Sequence, residues 1–259
     1  MNRLDQLFQN KPNNILTVYF TAGFPELHDT YRTIIELGDA GVDCIEIGLP
    51  YSDPLADGET IQDSSSVALK NGLTLPLLFE QLSGIRENTD VPLVMMGYLN
   101  QLVQFGVEKF CQRAKDCGID GLIIPDMPLF NFEHEYKDTI ESYGLHCIFL
   151  ITPRTPADRI RKIDSLSRGF IYVVSDSSIT GSQKGMQQPQ IDYFERIQGM
   201  NLTNPLQIGF GVSNHSDFSA VCNHAQGAII GSAFIRHVDA GKPIDEFVHS
   251  ILHGATTRS

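Results

Sequence analysis

Short apolar runs alternate along this chain with stretches of helical period. The runs fall at residues 15–21 (ILTVYFT), 43–48 (DCIEIG), 92–97 (PLVMMG), 120–124 (DGLII), 146–151 (HCIFLI), 170–174 (FIYVV), 205–209 (PLQIG) and 227–230 (GAII). They are rich in Ile, Val and Leu, as parallel strands covered on both faces must be. Between them, apolar residues recur at helical spacing. Examples are Tyr31, Ile34 and Ile35; Val107, Phe110, Cys111 and Ala114; Phe132, Tyr136, Ile140 and Tyr143; Ala157, Ile160, Ile163 and Leu166; and Ile244, Phe247, Val248 and Ile251. Each stripe predicts an amphipathic helix able to cover a sheet. Eight strand–helix repeats predict an α/β fold, a (β/α)8 (TIM) barrel in which residues 1–259 form a single domain. Residues 4–8 are expected to add an N-terminal helix that caps the barrel bottom. An open doubly wound sheet is the competing architecture. No G-x-G-x-x-G follows the first run, so a dinucleotide-binding version has no support.

Spacing directs attention to two places. Most intervals between runs are about 22 to 28 residues, the normal repeat of a barrel unit. The interval after the second run is about 49 residues and that after the sixth about 35. Active sites of barrels lie on the loops that follow strands, and oversized loops are commonly functional.

Composition narrows the function classes. Lys plus Arg is 19 and Asp plus Glu 31, a formal net charge of −12. A nucleic-acid surface or a polybasic membrane patch needs the opposite balance. An anionic substrate would have to be held by local geometry. The cysteines are Cys44, Cys111, Cys117, Cys147 and Cys222, an odd number without C-x-x-C spacing. Free thiols in a reducing, cytoplasmic setting fit better than a disulfide framework or a zinc site. The first residues carry no long apolar segment of a signal peptide, and no run approaches a membrane span.

Glu46 is the most informative residue. It interrupts the apolar run Cys44-Ile45-Glu46-Ile47-Gly48. Strand alternation puts Cys44, Glu46 and Gly48 on one face and the isoleucines on the other. The isoleucine face suits the helix layer, so Glu46 is expected inside the barrel. A buried ion pair would explain it, but no Lys or Arg lies in any run. An unpaired carboxyl there should hold its proton more tightly than usual, which suits a general acid or base. Above it, the loop at residues 49–58 carries Asp53 and Asp57 between prolines and a glycine. Turn chemistry accounts for each aspartate alone. With Glu46 below, Asp57 is a candidate second carboxylate.

The last three loops are rich in glycine: Thr180-Gly181-Ser182 with Gly185, Gly209-Phe210-Gly211, and Gly231-Ser232. Glycines let backbone N–H groups approach an anion, and barrels often bind phosphate after their seventh and eighth strands. No run contains a lysine for Schiff-base chemistry. The histidines are scattered, without metal-ligand spacing, so no metal is expected. Carboxylate proton transfer on a phosphorylated substrate remains.

These residues, with Thr21-Ala22-Gly23, the string EIGLPYSDPLADG at 46–58, Gln62, Met95 to Asn100, Pro125-Asp126-Met127-Pro128 and Tyr172 to Gly181, resemble the tryptophan synthase alpha subunit family over nearly the whole chain. The resemblance implies a barrel that cleaves indole-3-glycerol phosphate to indole and glyceraldehyde 3-phosphate. It implies proton transfer by Glu46 and pairing of Asp57 with the indole N–H. Tyr172 would line the site, and Thr180 would bond Asp57 as its loop closes. Gly181, Gly211, Gly231 and Ser232 would bind phosphate. Tyr19, Tyr98, Leu99 and Phe210 would form an apolar indole pocket. Asp53 would face the partner, a pyridoxal-phosphate-dependent beta subunit in an α2β2 complex, while this chain would hold no cofactor. Two departures stand out: Glu59 occupies a position usually taken by proline, adding a carboxylate near Asp57, and Ser178 one usually taken by glycine. A non-catalytic barrel that activates a beta subunit, a free-standing lyase, and another phosphate-binding barrel enzyme remain as alternatives.

Overall fold

The computed structural model describes residues 1–54, 57–175, 187–209 and 211–254. All eight apolar runs form strands, and every pairing is parallel. The strands are β1 (Ile15–Thr21), β2 (Cys44–Gly48), β3 (Leu93–Met96), β4 (Gly121–Ile123), β5 (His146–Ile148), β6 (Leu150–Ile151), β7 (Ile171–Val174), β8 (Leu206–Gly209) and β9 (Gly227–Ile230). The sheet order is β5-β4-β3-β2-β1-β9-β8-β7-β6. The ends of that order, β5 and β6, are consecutive parts of the fifth run. One part pairs with β4 and the other with β7, and the Phe149 carbonyl between them accepts from the Tyr172 N–H at 2.9 Å. One run thus joins both margins and closes the barrel.

The helices are α1 (Arg3–Asn10), α2 (Asp29–Asp39), α3 (Glu59–Lys70), α4 (Leu75–Gln81), α5 (Leu99–Phe105), α6 (Val107–Asp116), α7 (Leu129–Asn131), α8 (Lys137–Ser142), α9 (Ala157–Leu166), α10 (Gln188–Gln198), α11 (His215–Cys222), α12 (Ser232–Asp239) and α13 (Ile244–His253). A π-helical turn at Phe132–Tyr136 links α7 to α8. The long interval after β2 is mostly helix: α3, α4 and a 3-10 turn at Ile85–Glu87 fill it. Thr74 caps α4 by accepting from the Leu77 N–H, and Pro76 sits in its first turn, where no N–H is required.

Alternation along the strands divides the apolar residues into two clusters. Val18, Phe20, Ile45, Ile47, Met95 and Ile208 face the helices and merge with their buried stripes. Tyr19, Cys44, Val94, Ile123, Ile148, Tyr172 and Ile229 point inward and form a separate core. Leu4 of α1 belongs to this inner core and is fully buried. Its Cδ1 stands 3.1 Å from where a Cβ on Gly121 would lie and 3.2 Å from one on Gly169. The expected N-terminal cap is therefore a plug across the barrel bottom. Asp120 anchors that end. It accepts from Arg86 at 2.7 Å and Arg3 at 3.1 Å and also receives the Leu93 N–H. Among the described residues no helix is long and apolar enough to cross a membrane.

Candidate active site

Glu46 sits at the centre of β2, between Tyr19 of β1 and Val94 of β3, and is 1% exposed. Ile45 and Ile47 on either side belong to the outer core, so the carboxyl points into the barrel as its alternation requires. Neither carboxyl oxygen has a hydrogen-bond partner among the described residues. Burial, with a smaller contribution from the Asp57 charge, pushes its pKa from 4.5 up to about 8. The group is therefore a neutral acid at pH 7, within reach of giving up its proton.

Asp57 precedes Gly58, the N-cap of α3. Its Oδ2 accepts from the Tyr98 hydroxyl at 2.9 Å, and its carbonyl accepts from Gln62 Nε2 at 2.7 Å. Burial raises its pKa above the ordinary carboxyl range, while the Tyr98 hydrogen bond opposes that shift. Tyr98 is itself braced. Tyr51 stacks on its ring at 4.9 Å, Asn100 Nδ2 donates to the Tyr51 hydroxyl, and Gln101 Nε2 reaches the Pro50 carbonyl at 3.0 Å. The loops after β2 and β3 thus hold one another. Leu99 begins α5, where its N–H donates to Asp126 Oδ1 at 2.9 Å. The Pro125-Asp126 motif therefore has a structural use, satisfying an orphan donor at a helix start.

Tyr19 and Tyr172 complete the wall, each 6% exposed, with burial pushing both phenols far above their usual range. Glu46 and Asp57 both act electrostatically on each of them, which places all four groups around one space. With Tyr98, which bonds Asp57, three tyrosines bring hydroxyls to the space around the two carboxyls. Gly48 and Gly209 make room for them. A Cβ on Gly48 would fall 2.0 Å from the Tyr19 hydroxyl, and one on Gly209 2.2 Å from that of Tyr172. Both requirements depend on strand register and have no local signature in the chain.

On the other side of the mouth, β8 and β9 are hydrogen-bonded neighbours, so Gly211 and Gly231-Ser232 emerge side by side. Gly211 has φ +79°, a conformation open to glycine, and Gly231 caps α12, whose first residue is Ser232. The N-terminal end of α12 supplies a favourable dipole for an anion. Thr180, Gly181 and Phe210 lie outside the described residues, as does Ser178. Asp53 is exposed and accepts from the Ser52 hydroxyl. Glu59 is exposed in the first turn of α3, where its charge complements the helix dipole, and it does not enter the electrostatics of Asp57. Among the described residues no group of three or more His, Cys, Asp or Glu could hold a metal ion.

The profile of a family described as "Tryptophan synthase alpha chain" matches residues 4–252. The chain belongs to that family. The tryptophan synthase alpha chain of Flavobacterium johnsoniae is 54% identical over 97% of this chain and 100% of its own length. That of Bacteroides thetaiotaomicron is 48% identical over 93% and 94%. Among solved structures, the tryptophan synthase complex from Pyrococcus furiosus superposes with a TM-score of 0.82 at 32% identity, covering 93% of this chain and 98% of that one. The tryptophan synthase alpha chain from Legionella pneumophila gives 0.86 at 26%, covering 98% and 97%. Against these tryptophan synthase alpha chains, the barrel deduced from the periodicity is the family's fold.

Proposed function

We propose that this chain catalyses the alpha reaction of tryptophan synthase, the retro-aldol cleavage of indole-3-glycerol phosphate to indole and glyceraldehyde 3-phosphate. The observation that carries the reading is the pair of unlike carboxyls, with Glu46 buried, unpartnered and neutral and Asp57 held by Tyr98 at the rim. Two carboxyls in unlike surroundings divide acid and charge-stabilising roles. The Glu46 carboxyl gives its proton to indole C3. The positive charge that develops on the ring nitrogen is met by the Asp57 carboxylate. The resulting Glu46 carboxylate takes the proton of the adjacent side-chain hydroxyl. The O–H electrons become the new carbonyl, the C–C bond breaks, and its pair returns to the indole ring. Glu46 ends with the proton count it began with.

Gly211, Gly231 and Ser232 are assigned to the phosphate with Gly181, whereas Tyr19, Tyr98, Leu99, Tyr172 and Phe210 enclose the indole. Thr180 is assigned to bond Asp57 when its loop closes, and Asp53 to face the partner. That partner is a beta subunit in an α2β2 complex, which carries pyridoxal phosphate and receives indole; this chain needs no cofactor of its own. The free cysteines, four of five buried, support a cytoplasmic site of action.

The test is indole release by the purified chain, alone and with a beta subunit. Glu46→Gln should lower turnover by a factor on the order of 10³ while substrate still binds. Turnover like that of the wild type would remove Glu46 from the chemistry. Slow release alone with a large increase on adding the beta subunit is expected. Equally fast release without it would make the chain a free-standing lyase.

A further inference from the structure

The Asp57 carboxyl is oriented from another loop, since its Oδ2 accepts from the Tyr98 hydroxyl at 2.9 Å. Such a bond holds a carboxylate only as firmly as the donor is itself held. Two side chains hold Tyr98. Gln101 Oε1 accepts from the Tyr98 N–H at 2.9 Å, and Gln101 Nε2 donates to the Pro50 carbonyl at 3.0 Å. One amide thus ties the main chain of the loop after β3 to that of the loop after β2, at the residue before Tyr51. Tyr51 then lies against the Tyr98 ring, with centroids 4.9 Å apart and planes 29° from parallel. Its hydroxyl accepts from Asn100 Nδ2 at 3.2 Å, which pins the far end of the ring.

Packing alone does not keep Tyr51 in place. The residue is half-buried, and a cavity of about 250 Å³ adjoins it, lined by Pro50, Tyr51, Leu69, Leu73 and Gln101. A ring beside open space lacks contacts on that side and needs specific bonds to fix it. The Asn100 bond and the Gln101 tie supply them. With Tyr51 displaced, the Tyr98 ring loses the support of one face, and its hydroxyl is no longer fixed on Asp57.

We propose that Tyr51 and Gln101 are positioning residues for the reaction, acting through Tyr98 to hold the Asp57 carboxylate where charge develops on the indole nitrogen; this rests on the function proposed above. A carboxylate fixed in advance stabilises that charge without reorganising during the step. A loosened one must be reordered at each turnover, which raises the barrier. Binding of the phosphate end is untouched, so the loss falls on kcat and not on KM.

The test is steady-state indole release from indole-3-glycerol phosphate as a function of pH. Tyr51→Leu should lower kcat on the order of tenfold, with KM close to that of the wild type. The Tyr98 hydrogen bond holds the Asp57 pKa down against burial. Weakening that bond lets the pKa rise, so the acid limb of kcat should move to higher pH. Tyr98→Phe should move the limb the same way and further. Adding Tyr51→Leu to Tyr98→Phe should then change kcat by less than about twofold, because the two act in series. Tyr51→Phe keeps the stacked ring and should recover most of the loss. Gln101→Leu leaves both rings in place and should shift the limb in the same direction, which covers the case of a misfolded Tyr51→Leu. An unmoved acid limb in the folded single variants, or losses that add in the double variant, overturns the positioning role alone. Failure of the wild type to release indole, alone and with a beta subunit, overturns the function and the positioning role together.

Discussion

Glu46 shows how one carboxyl ties activity to stability. Its folded pKa of about 8 lies above the ordinary 4.5, so the native state keeps a proton that the unfolded chain has released. Stability from this group therefore falls as pH rises from about 4.5 through about 8 and levels off beyond. The full cost is on the order of 4 kcal/mol. Glu46→Gln removes it. Thermal melts should show little difference between variant and wild type at pH 5 and a clear gain in Tm for the variant at pH 9. An equal difference at both values would mean that Glu46 does not titrate in this range. Turnover should fall along a limb centred near pH 8, as the acid is lost. Because the Asp57 charge helps raise the Glu46 pKa, Asp57→Asn should move that limb of the residual activity to lower pH; an unmoved limb would show that burial alone sets it. Glu46 was legible in the sequence because a carboxyl inside an alternating apolar strand has few explanations. Its companions were not. The Tyr98–Asp57 bond joins residues 41 apart, and nothing local to either announces it.

At the level of elements, the runs were legible because buried parallel strands are nearly all apolar. Two features escaped. The fifth run reads as one strand, but its two parts serve opposite margins, a consequence of closure and not of local preference. The long interval after β2 reads as a loop because α3 buries Ser64 and Ser65, which blur its stripe. The pairing of glycine with tyrosine across strands was equally hidden, and it has a measurable cost. Gly48→Ala forces the Tyr19 ring off the β2 backbone and should destabilise the barrel by about 1–3 kcal/mol in denaturant unfolding. A neutral outcome would mean that the ring repacks freely. Leu4→Ala should cost about 2–4 kcal/mol by opening a cavity at the foot of the barrel, while leaving kcat unchanged. A loss of kcat without a loss of stability would contradict its role as a plug.

Over the whole molecule, the charge of −12 opposes an anionic substrate. In the proposed function the phosphate is met by glycine backbone and a helix end, and Glu46 is uncharged at neutral pH. Screening of the general field should therefore help binding. For Glu46→Gln, substrate affinity should hold or rise as ionic strength goes from about 0.01 to about 0.15 M, where the screening length drops to roughly 8 Å. Weakening of several-fold would reveal cationic contacts to the substrate. The N-terminal plug has a consequence for traffic. With Leu4 seated among Ile148, Phe170 and Cys44 in the inner core, the barrel is a blind well and not a conduit. Whatever enters by the rim must leave by the rim. The two halves of a broken substrate then compete for one doorway, and whichever half is still held decides when the other can go.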